Sequence, residues 1–188
     1  PLSRGASGVS GERAGWGSSP RHTRFATLAR IYTVDITTPS TALADVITDM
    51  WVDLARDQRS YGSHLLGPEN RAVIRETVVQ RIVTDNLLVA RREGAVVGFV
   101  MFTVEHGRYE QAVTPGLVEN LYVEPGARRD GIGSSLLEAA EERLIADGAT
   151  VMQLEAMAQN DAGRQFYAAH GYHPHRLELQ KPTENDTA

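Results

Sequence analysis

Residues 123 to 135 read Val123-Glu124-Pro125-Gly126-Ala127-Arg128-Arg129-Asp130-Gly131-Ile132-Gly133-Ser134-Ser135. The stretch before them, Leu117 to Pro125, reads as a strand closed by Pro125 and Gly126. Beyond them, Leu136, Leu137, Ala140, Leu144 and Ile145 recur at helical spacing, and Gly148 ends the run. A strand therefore runs through a glycine-rich turn straight into a helix. Glycines let successive backbone N–H groups converge, and the helix adds its unpaired N–H groups and positive dipole end. That combination is a phosphate cradle, to which Arg128 or Arg129 can add charge-assisted bonds. A P-loop is excluded because no Lys follows the glycines. A dinucleotide fingerprint is excluded because Leu136 stands where its third glycine belongs.

Working outward, Ile31 to Thr37 alternates as a first strand ending before Pro39. Leu43, Val46, Ile47, Met50, Trp51 and Leu54 predict one amphipathic helix, and Val73, Ile74, Val78, Ile82 and Val83 a second. Two strands flank the short turn Glu93–Gly94. After the glycine turn and its helix come a strand at Val151 to Ala158, a helix capped by Asn160 or Asp161, and a last strand at Leu177 to Lys181. The predicted order β-α-α-β-β-β-α-β-α-β implies a mixed α/β sheet with helices on both faces.

The chain has 188 residues, 41% hydrophobic and 23% charged, a balance that suits one globular domain. It has no cysteine, which excludes disulfides, zinc thiolates and a cysteine nucleophile. No apolar run approaches the ~20 residues of a membrane span. The net charge of -5 argues against general nucleic-acid binding. Residues 1–30 carry five Arg and one Glu, leaving 14 basic and 23 acidic groups for the rest. An acidic body favours cationic small molecules over polyanions. Residues 1–30 read as a disordered extension without the apolar core of a secretory signal, residues 31–181 as the folded domain, and residues 182–188 as a polar tail.

The glycine turn is followed by Asn160, Ala162, Phe166, Tyr167, Gly171 and Tyr172, in the pattern N-x-A-x-x-x-F-Y-x-x-x-G-Y. Together with ENLYVEP and RRDGIG, this resembles the GCN5-related N-acetyltransferase (GNAT) superfamily over residues 116–173. The resemblance implies a central, mostly antiparallel mixed sheet of six to seven strands. It also implies a cytoplasmic enzyme that moves an acetyl group from acetyl-CoA to a primary amine by direct transfer in a ternary complex. Neither metal, nucleic acid nor membrane is expected, and a homodimer is open to it.

By the same resemblance, Leu121, Tyr122 and Val123 would pair with the pantetheine arm as an added strand would. A backbone N–H there would face the acetyl oxygen. The amides from Arg129 through Asp130, Gly131, Ile132 and Gly133 to Ser134 would hold the pyrophosphate. Asp130 is tolerable there only if its carboxylate points to solvent. Asn160 would cap its helix and also bond the pantetheine arm. Tyr167 matches the general acid that protonates the departing thiolate, with Phe166 in the core. Two carboxylates are candidates for the general base: Glu155, twelve residues before Tyr167, and Glu119, two before Leu121. Period-two alternation puts Glu119, Leu121 and Val123 on one face of the sheet. His170, His173 and His175 read as surface residues rather than metal ligands. The acceptor could be a peptide or protein amine, or a small molecule such as a polyamine, amino acid or aminoglycoside. Arg59, Tyr61, His64 and Tyr109 lie in the loops that would surround it.

Overall fold

The computed structural model describes residues 33–107 and 109–183. The expected N-terminal extension, and most of the polar tail, lie outside the described residues. The elements are β1 (Val34–Thr37), α1 (Ala44–Arg59), α2 (Arg71–Val83), β2 (Leu87–Arg92), β3 (Ala95–Val104), β4 (Pro115–Val123), α3 (Ile132–Ala146), β5 (Val151–Leu154) and α4 (Asp161–Ala169). They build one sheet in the order β1-β2-β3-β4-β5. The first three pairings are antiparallel, and only β4–β5 is parallel, with α3 as the crossover helix. The hairpin between β2 and β3 turns at Glu93 (φ 51°) and Gly94 (φ 84°). Two positive φ angles give the turn that matches strand twist.

Each face of the sheet carries its own core. On one face, Leu136, Leu137, Ala140 and Leu144 of α3 pack on Leu88, Val100, Phe102 and Val118. On the other, Ile47 and Met50 of α1 and Ile74, Val78 and Ile82 of α2 cover Leu87, Val89, Phe99, Met101 and Tyr122. The inner strands are thus buried from both sides, which is why β2 and β3 read as continuous apolar runs. Val46, Val73, Val83 and Ile145 belong to the helical patterns in the sequence but stay exposed, because each sits beside the buried stripe rather than in it.

The sheet holds five strands among the described residues, not six to seven. The expected last strand, Leu177 to Lys181, forms no ladder. Leu177 and Leu179 are 76% and 82% exposed. Alternation favours an extended backbone, but a strand also needs a neighbouring edge to bond. Here Gln180 instead reaches His64 in the α1–α2 connection at 3.1 Å.

Candidate active site

The parallel pairing of β4 with β5 runs from Pro115↔Val151 to Val118↔Leu154 and stops. β4 continues to Val123, still bonded to β3 on its other side. The two strands therefore part like the arms of a V, and the next residues along them are Glu119 and Glu155. At the same place β4 bulges: Phe102 pairs with Val118 but Met101 with Asn120, so Glu119 is the extra residue. An inserted residue reverses which face later side chains take. Val118, Leu121 and Val123 all pack into the α3 core, whereas Glu119 turns to α2. The expectation that Glu119 shares a face with Leu121 and Val123 is overturned by this bulge.

At the far end of β4 the glycine turn forms the expected junction. Gly131, at φ 80°, holds the left-handed conformation that lets the chain enter α3. Among the described residues, no backbone carbonyl accepts from the amides of residues 129 to 134; the first bond of the helix is Ser135 N–H to Gly131 C=O at 3.0 Å. These are the orphan donors of a helix start, extended backward by the turn. Ile132 contributes only its amide, since its side chain is buried. A Cβ on Gly133 would lie 3.5 Å from the Phe166 ring, so the turn is braced by α4.

The charged residues of the turn divide in a way local sequence does not reveal. Arg128 folds back, donating to Val123 C=O at 2.8 Å and to Asp57 of α1 at 3.1 Å, with its guanidinium over the Tyr122 ring. Of the two candidate arginines, this leaves Arg129 at the cradle, exposed and at φ 69°. The Asp130 carboxylate accepts from Arg92 of β2 at 2.7 Å. The reservation about a negative charge in the turn is met by a paired cation rather than by solvent alone.

Helix α4 lies on the α3 side of the V. Asn160 Oδ1 accepts from Gly163 N–H at 2.9 Å, so the side chain caps the helix. Phe166 and Tyr167 both pack against the α3-side core, as do the partly buried Leu121, Val123 and Leu154. Tyr167 sits edge-on between Phe166 (5.2 Å) and Tyr172 (6.0 Å). Burial raises its phenol above the ordinary value. Tyr172 is also raised, first by burial and then by its bond to Glu141 at 2.6 Å. His170 is half-buried and bonded at both ring nitrogens, unlike the surface residue expected.

The two carboxylates at the V differ. Glu119 receives both Nε (2.8 Å) and Nη2 of Arg81 from α2, and each side chain of the pair is 21% exposed. Glu155 is exposed and has no hydrogen bond or ion pair among the described residues. β5 ends at Leu154, so Glu155 lies just past the strand rather than on it, because the ladder with β4 has already stopped. The V thus has Tyr167 on the α3 side of the sheet and Glu119 on the α2 side. Sequence reasoning missed Arg81, Arg92 and Asp57 and read His170 as a surface residue; each bonds a partner at least 36 residues away in the chain.

A sheet that splays beside an unbonded helix start has counterparts among known proteins. The profile of the acetyltransferase (GNAT) family matches residues 51–172. A GCN5-related N-acetyltransferase from Ralstonia eutropha superposes with a TM-score of 0.64 at 22% identity, covering 80% of this chain and 99% of that one. The PaiA N-acetyltransferase of Thermoplasma acidophilum, solved with coenzyme A, gives 0.61 at 19% identity over 78% and 93%. A mycothiol acetyltransferase of Sanguibacter keddieii is 26% identical over 138 residues, which is 71% of this chain and 43% of that protein. The chain thus spans less than half the length of that curated relative. It belongs to the GNAT family.

Proposed function

We propose that this protein is an N-acetyltransferase that takes acetyl-CoA and a primary amine. The observation that carries the reading is the junction of two features: the unbonded amides of residues 129 to 134 and the parting of β4 from β5 beyond Val118 and Leu154. The cradle fits a pyrophosphate because its donors are fixed and lack partners. The open edge of β4 at Leu121 to Val123 fits an extended amide-bearing arm. The V then leads from the α3 face to the α2 face of the sheet. When bound, acetyl-CoA supplies the activated acyl group and a thiolate leaving group.

The chain's own residues divide the proton work. Tyr167, kept protonated by burial, serves as the acid toward the thiolate. Glu155, with both oxygens uncommitted, serves as the base for the ammonium acceptor, directly or through one water. Glu119 has both oxygens engaged by Arg81, and taking a proton would break that pair. We therefore assign it to shaping the acceptor side. Asn160, its Oδ1 spent on the cap, keeps its NH2 for a pantetheine carbonyl. Transfer is direct, in a ternary complex.

The acceptor we favour is a peptide or protein amine, from the Glu155–Tyr167 spacing. The second reading is a small-molecule amine, favoured by the Sanguibacter relative named for mycothiol. Calorimetry with acetyl-CoA, repeated on Gly133→Glu, tests the cradle. Wild-type binding that the carboxylate abolishes supports it, and no wild-type binding overturns it. A thiol-release screen with amino-terminal peptides and small amines then separates the acceptors.

A further inference from the structure

His170 ends α4 with a tighter turn: its amide donates to Tyr167 C=O at 3.0 Å rather than to Phe166 C=O one residue earlier. The Phe166 carbonyl is taken instead by the His170 ring, with Nδ1 at 2.8 Å. The other ring nitrogen, Nε2, lies 2.9 Å from Ser134 Oγ in the first turn of α3. A carbonyl oxygen only accepts, so Nδ1 must carry hydrogen. In the neutral ring Nε2 is then an acceptor, and the Ser134 hydroxyl spends its one proton on it. Ser134 stands among the unbonded amides of the cradle, yet in this state its hydroxyl offers a phosphate only lone pairs. A second proton on the ring reverses the bond: Nε2–H donates to Oγ, and the hydroxyl proton is released to point elsewhere.

We propose that His170 is a positioning residue that couples occupation of the cradle to uptake of a proton: a phosphate group held at the start of α3 draws a solvent proton onto Nε2, and the Ser134 hydroxyl then donates to the phosphate. No bond between heavy atoms forms or breaks. The inference rests on the cradle being the pyrophosphate site of acetyl-CoA. Two features favour the charged ring in the loaded state. It sits at the C-terminal end of α4, where a cation is stabilised, and beside an arriving anion.

The surrounding groups are accounted for. On α4, the Phe166 ring lies 4.5 Å from the imidazole. On α3, Glu138 is one turn beyond Ser134, and Glu141, which lines the same groove as His170, is held by the Tyr172 hydroxyl. His173 and His175, from the segment after α4, also line that groove, while β5 contributes only Val151, Met152 and Gln153. In the glycine turn, Asp130 is paired with Arg92 and Arg128 with Asp57, while Arg129 has no ion pair among the described residues.

The test is calorimetry of acetyl-CoA binding by the full chain in two buffers of different ionisation enthalpy, for wild type, His170→Gln and Ser134→Ala. The Gln amide can donate to Oγ without ionising. The expected result is more proton uptake in wild type than in either variant. Uptake of one proton on binding also makes wild-type affinity fall with rising pH, by up to about 10-fold per unit, and His170→Gln should flatten that fall. Titration of the ligand's own phosphates is common to all three proteins and cancels in the difference. Equal uptake in wild type and both variants overturns the coupling while leaving the cofactor reading intact. Absence of wild-type binding overturns both. If His170→Gln fails to fold, Ser134→Ala alone decides the comparison.

Discussion

Replacing Arg81 by Met tests the pair that holds Glu119. The substitution keeps much of the apolar stem but removes two charge-assisted bonds from a carboxylate whose side chain is 21% exposed. Bonds to charged groups contribute about 1.5–3 kcal/mol each, and stripping one partner from a fully buried pair costs about 3–5 kcal/mol. Residual exposure lets water recover part of that loss, so Arg81→Met should destabilise by about 2–3 kcal/mol. The carboxylate left behind, rather than the lost attraction, dominates that cost. Glu119→Gln added to Arg81→Met should therefore restore at least half of it. Urea unfolding at pH 7 measures both, with an unchanged denaturant slope confirming that only stability moved. A single-variant loss below about 0.5 kcal/mol, the scale of an ordinary surface change, would refute the argument. So would a double variant no more stable than Arg81→Met.

Tyr167→Phe should lower kcat about 100-fold with acetyl-CoA affinity unchanged, measured by thiol release and calorimetry; Glu155→Gln should do the same at neutral pH. Arg92→Gln should weaken acetyl-CoA binding by leaving the Asp130 carboxylate unpaired beside the cradle, and adding Asp130→Asn should restore it. Gly98→Ala would set a Cβ 2.7 Å from the Tyr122 carbonyl, so thermal unfolding should report a loss of about 1–3 kcal/mol. Tyr122, Tyr167 and Tyr172 are all raised by burial, so tyrosinate absorbance should show phenols ionising above the ordinary value of about 10. A phenol raised in the folded state contributes stability that is complete below its unfolded value of about 10 and lost as pH rises through the folded one. Tyr167→Phe should accordingly lessen the loss of stability above about pH 10.

What the sequence determined by itself is local. The glycine turn into α3, the Glu93–Gly94 hairpin and the Asn160 cap each depend on residues within a few positions. Conformational preference and short-range hydrogen bonds settle them before any packing does. The helix and strand periods likewise chose the buried stripes, because burial on both faces of one sheet demands them. The tertiary structure decided what depends on distant partners. The bulge that turns Glu119 away from Leu121 arises from register against β3, which no property of Glu119 announces. Arg81 with Glu119, and Arg92 with Asp130, are each 38 residues apart, and His170 with Ser134 is 36. Their sequence separations carry no period, and only the stacking of helices on the sheet brings them together. The segment Leu177 to Lys181 shows the converse. Its alternation is that of a strand, but pairing belongs to two segments at once, and the edge that would complete it is not bonded to it.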